Sequence, residues 1–212
     1  MKGKTKETVN QMKLAAKIFS SVFHPLLMPV IGVLIIFNTD SYINYSIPFE
    51  LKKAVLLLIT VSTFVTPLLI SLLLLQRKII KSLEMETTKE RIIPYAFTII
   101  FYVFTLFMLK RAPLPPIIFY FIIGATLSVI LAFIINIKWK VSAHMIGIGG
   151  LIGALIAISL KMEVYVTQYI VLALIAAGLV GSSRLVLKAH TQAQLYVGFL
   201  LGLVCQVMVI YF

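Results

Sequence analysis

Seven apolar runs, most of them about twenty residues long, leave this chain little choice of solvent. They fall near residues 18–38, 53–75, 95–109, 116–136, 144–160, 168–182 and 193–212. The hydrocarbon core of a bilayer is about 30 Å thick, which about 20 helical residues cross. No water is present there to satisfy backbone N–H and C=O groups, so each run reads as a helix that bonds its own backbone. A mean hydropathy of +1.07 and only 12% charged residues fit an integral membrane protein. The expected fold is all-α: a polytopic membrane bundle of six to seven helices in one domain, 18–212, behind a basic tail, 1–17. The third run is short, and Pro94 suits the first turn of its helix, where a missing N–H costs nothing. Lys110 to Pro116 carries three prolines and reads as a turn. The first run is too long for the core of a cleavable leader and reads as a span. Cys205 is the single cysteine, which excludes an intrachain disulfide and a cysteine metal cluster.

The net charge of +12 has the same origin. Its cations sit at span ends, where they anchor to anionic headgroups, so a nucleic-acid partner is not expected. Seven spans place the N-terminus, 76–94, 137–143 and 183–192 on one face with fourteen lysines and arginines. The other face has five: Lys52, Lys53, Lys110, Arg111 and Lys161. The excess marks the first face as cytoplasmic. Three polar connections from distant parts of the chain share that face, a precondition for a composite site.

Those connections hold the polar residues that composition alone does not explain. His190 and Gln194 are four apart, one helical turn on one face, and Gly198 and Gly202 continue the ridge. The G-x-x-x-G spacing lets a second helix approach closely. Gln194 can accept from one ring nitrogen of His190 and leave the other free. Arg184 carries a planar fork suited to phosphate. His144 opens a helix whose N-terminus is a natural anion site, with Ser142 beside it. Lys89 and Arg91 place two cations just before the third helix. His24, next to Pro25, reads as sitting at a proline-distorted start of the first helix. The histidines and Glu84, Glu86 and Glu90 show no metal-ligand spacing.

Ser183-Arg184, five residues, His190, three residues and Gln194, with Gly198 and Gly202 beyond, resembles the third motif of the type 2 phosphatidic acid phosphatase (PAP2) superfamily. Ser142-Ala143-His144 resembles the second motif, and Lys89 through Pro94 looks like a rearranged first motif. The resemblance spans roughly 77–205. It implies a PAP2-like core acting on a lipid phosphate or diphosphate through a phosphohistidine, with no metal or other cofactor. His190 would be the nucleophile, oriented by Gln194, and His144 the general acid. Arg184, Arg91, Lys89 and Ser142 would hold phosphate oxygens. It also implies a bacterial cytoplasmic membrane as the setting.

Three positions depart from the family pattern. Gln194 replaces an aspartate, Ala143 replaces a glycine, and Glu84 stands where a lysine is usual. An amide orients an imidazole but does not stabilise imidazolium as a carboxylate does. The sequence therefore supports two expectations: a membrane phosphatase, or an impaired relative that binds an anionic lipid or assists a partner. A small transporter or channel is disfavoured, since no span carries a buried acid or a broken-helix signature.

Overall fold

A computed structural model describes residues 2–212, the side chains of 2–7 and 9 excepted. Among the described residues, seven helical segments are long and apolar enough to cross a membrane: Asn10–Asn38, Phe49–Gln76, Thr88–Leu109, Pro116–Asn136, Ala143–Met162, Thr167–Val186 and Gln192–Tyr211. The chain is an all-α polytopic bundle, as its apolar runs require. In order the helices are α1 (Lys2–Val22), α2 (Met28–Asn38), the short α3 (Tyr42–Ser46), α4 (Phe49–Ile59), α5 (Thr66–Gln76), α6 (Thr88–Leu109), α7 (Pro116–Asn136), α8 (Ala143–Met162), α9 (Thr167–Val186) and α10 (Gln192–Tyr211).

Three elements differ from the sequence expectation, each for a local reason. Residues 2–17 do not form a separate tail; α1 runs through them to Val22 and packs along α9. The break in the first span comes at residues 23–27 instead. There His24 is extended (φ −64°, ψ 136°), as a residue before proline must be, and Pro25–Leu27 form a single 3-10 turn. The third span is not short. Thr87 and Glu90 form a reciprocal capping box that starts α6 two turns before Pro94, which lies inside the helix. Lys89 and Arg91 are consequently on the helix and not ahead of it. The second span carries a π-helical stretch, Thr60–Val65. Pro67 follows it without an N–H to donate, and the Thr66 N–H reaches back five residues to the Val61 carbonyl.

The most buried of the seven spans is α8. Its contact with α10 rests on glycine at two places read from the sequence. A Cβ at Gly202 would lie 2.0 Å from the Ile146 carbonyl oxygen, and one at Gly198 would lie 2.8 Å from that of Ser142. No side chain fits there, so the two backbones touch, as the G-x-x-x-G spacing implies. One apolar cluster joins Val33 of α2, Ile59 of α4, Ile118 and Ile122 of α7 and Ile158 of α8. A second joins α8 to α9 through Ile148, Ile152, Ala173 and Val180. Between these clusters and the face with the cationic connections, the bundle does not close.

Candidate functional site

The gap is a cavity of about 430 Å³ lined by α1, the 23–27 corner, α5, the 83–85 segment and the site-face ends of α6, α8 and α9. Its wall includes all three histidines of the chain, His24, His144 and His190, together with Arg91, Arg184 and Lys17. One acid, Glu84, shares the wall. Five of the seven residues expected at a site are therefore here or bonded to its wall. The other two are not.

Arg184 and His190 are six residues apart and reach the same cavity wall through the way α9 ends. The Ala189 N–H bonds the Arg184 carbonyl at 3.0 Å, and the Lys188 N–H bonds that of Leu185 at 2.9 Å. This is a Schellman reversal, with Lys188 in the left-handed region (φ 53°) where glycine is usual. A non-glycine residue there costs about 1–2 kcal/mol. The reversal folds the 187–190 segment back over the last turn of α9. Thr191 then opens α10 with a second capping box: its hydroxyl accepts from the Gln194 N–H, and the Gln194 side chain accepts from the Thr191 N–H.

That box also settles the state of His190. Gln194 Oε1 accepts from the Thr191 N–H at 3.2 Å, so the oxygen end of the amide faces the ring. His190 Nδ1 lies 3.0 Å from the same oxygen and must carry the proton that it donates. Nε2 keeps its lone pair. Burial first, and then the Arg91 charge, lower the His190 pKa to about 3, against the raising effect of the Gln194 bond. Lys140 and Arg184 push the same way as Arg91. His190, only 8% exposed, is thus a neutral imidazole at any physiological pH.

His144 is fixed from the other side. Its Nε2 lies 3.0 Å from the Ser20 carbonyl, which can only accept, so Nε2 is protonated and Nδ1 is the open nitrogen. His24 packs edge-on against this ring, centroids 5.7 Å apart. His24 Nδ1 accepts from the Leu26 N–H at 3.3 Å. The structure brings His24 into the site, where the sequence placed it at a helix start. The His-Pro pair marks the break in the chain, but nothing in it says what the break leans against.

The two arginines, each 6% exposed, are used differently. Arg91 Nε donates to the Met85 carbonyl and one terminal nitrogen donates to that of Val141, both at 2.9 Å. It ties the first connection to the second and presents only its remaining edge. Arg184 Nε is buried with no partner. Among the described residues the one ion pair is Lys53 with Glu50, on the opposite face. Glu84 acts on Arg184 only from farther along the wall, and a buried guanidinium with no carboxylate in contact is costly unless something anionic completes it.

Lys89 and Ser142 stand outside the cavity. Lys89 is exposed on α6, two residues and about 200° around the helix from Arg91. The Ser142 side chain is fully buried as the N-cap of α8, accepting from the Met145 N–H at 3.5 Å. The Ser142 N–H bonds the Gln194 carbonyl at 3.3 Å, which clamps the starts of α8 and α10 together. Its hydroxyl is engaged at the helix start beside His144. Among the described residues, no three histidine, cysteine or acidic side chains converge where an ion could be held.

The arrangement can hold an anion against cations in the cavity, beside one imidazole with an open Nε2 and another with an open Nδ1. Comparison with protein-family models, with curated proteins and with solved structures finds no match to this chain.

Proposed function

We propose that this chain is a membrane phosphatase of PAP2 type that hydrolyses a lipid phosphate or diphosphate through a phosphohistidine. The observation that carries the reading is that His190 Nε2, free and unprotonated, and the guanidinium of Arg184, whose Nε has no partner, line one cavity. Phosphoryl transfer asks a protein chiefly for positioning and charge stabilisation, and both are available here. Nε2 attacks phosphorus and the bond to the leaving oxygen breaks. His144 Nδ1, open in the resting protein, takes up the proton carried by the phosphate monoanion and passes it to that oxygen, while Ser20 holds the other nitrogen. Water then attacks the phosphohistidine, giving its proton to His144 Nδ1, and phosphate leaves with His190 regenerated. Arg184 and the open edge of Arg91 hold the non-bridging oxygens throughout.

The test is phosphate release by purified protein in detergent from phosphatidic acid, phosphatidylglycerol phosphate or an isoprenyl diphosphate. His190→Ala should lower it by at least about 1000-fold, the scale on which loss of a nucleophile is felt. A folded protein inactive on all three substrates overturns the reading.

One observation favours a second reading. The partner of His190 is an amide, and the His190 pKa lies far below that of an activated base. A relative with little turnover, which binds an anionic lipid or assists a partner protein, fits the same cavity. Cellular function unchanged by His190→Ala would select it.

The cationic face is proposed to be cytoplasmic, in a bacterial inner membrane, on the charge asymmetry between connections. Lys138 is exposed on that face. A Lys138→Cys variant in a Cys205→Ser background should therefore resist an impermeant thiol reagent in intact cells and react after lysis. Labelling in intact cells reverses the orientation.

A further inference from the structure

The cationic cavity does not end at its polar floor. Pro25, Leu26, Tyr95, Thr98 and Ala143 line it and also line a second cavity of about 100 Å³ directly beneath. This pouch runs inward between α2, α6, α7, α8 and α10, and its inner end is formed by Tyr102, Phe121 and Gln206. Tyr102 and Gln206 each lie fourteen residues from the site-face ends of α6 and α10, about 21 Å along each helix at 1.5 Å per residue. Small residues keep the pouch open: Ala125 and Ala132 on α7, Gly147 and Gly150 on α8. Apart from Tyr95, Thr98, Tyr102, Ser128 and Gln206, its lining is apolar. Thr98 and Ser128 are bonded within their own helices, to the Pro94 and Gly124 carbonyls.

Three polar lining residues remain, Tyr95 at the neck and Tyr102 and Gln206 at the inner end. The Tyr95 hydroxyl is buried against the Arg91 guanidinium at the neck shared by the two cavities; Arg91 can only donate to its oxygen, so its own proton has no acceptor. Gln206, 2% exposed, donates through Nε2 to the Phe121 carbonyl, and its unsatisfied Oε1 is tucked against Gly124 of α7. Buried polar groups are normally paired, so an unpaired donor at the neck points to an acceptor that is brought in. An amphiphile whose phosphate sits among Arg184, Arg91 and His190 would put its bridging oxygen at that neck and its chain below it.

We infer that the pouch takes the first segment of one hydrocarbon chain, making the ligand of this site a single-chain alkyl or prenyl phosphate and not a two-chain glycerolipid. This rests on the reading of the upper cavity as a phosphate site. The size decides the number of chains. A dry cavity of about 150 Å³ admits benzene, so 100 Å³ accommodates roughly one branched five-carbon unit and excludes a second chain. The Tyr95 hydroxyl donates to the bridging oxygen, and the Gln206 side chain ends the apolar stretch. Beyond it a longer chain must turn out between helices.

Calorimetric binding of phosphonates, which cannot be hydrolysed, separates this from the catalytic reading. Methylphosphonate, isopentylphosphonate and a diacylglycerol phosphonate would be titrated into the full-length protein in detergent. Isopentylphosphonate should bind about 100-fold more tightly than methylphosphonate, at about 0.8 kcal/mol for each buried methylene. The diacylglycerol compound should gain nothing over methylphosphonate. Ala125→Leu should cut the isopentyl advantage at least tenfold and leave methylphosphonate binding unchanged. Val129→Phe, on the same wall, serves if that variant folds poorly. Binding that ignores chain length, or an isopentyl advantage that survives both substitutions, overturns the pouch. Chain-dependent binding without turnover of isopentyl phosphate supports the pouch and sinks the phosphatase. Failure of every phosphonate to bind overturns both.

Discussion

Gln194→Glu should raise phosphate release at least tenfold and move the acid limb of kcat/KM upward by one pH unit or more. Glutamate matches glutamine in length, so it keeps both halves of the capping box with Thr191, whose N–H and hydroxyl already engage residue 194. What changes is the atom facing His190 Nδ1, now 3.0 Å from a neutral amide oxygen. A carboxylate there stabilises the positive ring that forms as Nε2 attacks. An amide in the corresponding place beside a catalytic imidazole costs up to about 10⁴-fold in other enzymes, and recovery of a fraction of that is expected here. The sign of the pH effect follows from the protonated form. Burial and the Arg91 charge hold His190 near 3, so the native protein keeps an unprotonated Nε2 at all pH values above about 4. An added negative charge favours the imidazolium and raises that value. The limb of kcat/KM that reports free His190 should then appear at higher pH. A slower variant, or a limb that stays where it was in a folded protein, would remove His190 from the role of nucleophile.

Arg184→Met should weaken inhibition by inorganic phosphate or vanadate by about 10- to 100-fold and leave thermal stability equal or higher. The two effects have opposite signs because Arg184 is buried with no partner for Nε and no carboxylate in ion-pair contact, Glu84 acting on it only from farther along the cavity wall. A charge in that position opposes folding, and an apolar side chain of similar length is often neutral or stabilising. What is lost is a charge-assisted bond to a phosphate oxygen, worth about 1.5–3 kcal/mol. Anion inhibition and melting temperature measured on the same detergent preparation give both signs. A lower melting temperature with unchanged inhibition would make Arg184 a structural residue and leave the cavity without its principal cation. Arg91 should behave differently, since it spends two of its donors on the Met85 and Val141 carbonyls.

The seven spans were legible because twenty apolar residues in lipid admit one backbone solution, and their lengths are written in the chain. The α8–α10 contact was legible too, since Gly198 and Gly202 leave no side chain to keep the backbones apart. The bond from His190 to Gln194 followed from their spacing on one helix face. The start of α6 was written equally plainly, in the box of Thr87 and Glu90, but Pro94 is a louder signal and drew the boundary two turns too late. That error left Lys89 and Arg91 looking alike, whereas on a helix two residues apart they face nearly opposite ways.

Other features belong to no local pattern. Lys188 turns the chain in a left-handed conformation that glycine normally supplies, so nothing in its identity announces that Arg184 and His190 will share one cavity wall. Ser142 has the right chemistry for phosphate, but its hydroxyl faces its own helix end. His24 reaches the cavity because α1 packs on α9 and sets the 23–27 corner against α8, contacts between segments more than a hundred residues apart. By itself the sequence determined the solvent, the helices and the ridge that carries His190, all consequences of hydrophobicity and helical periodicity. Only the tertiary structure decided which polar groups are left unpaired and facing one another. That depends on which hydrogen bonds are already taken, and those are made between helices, not along them.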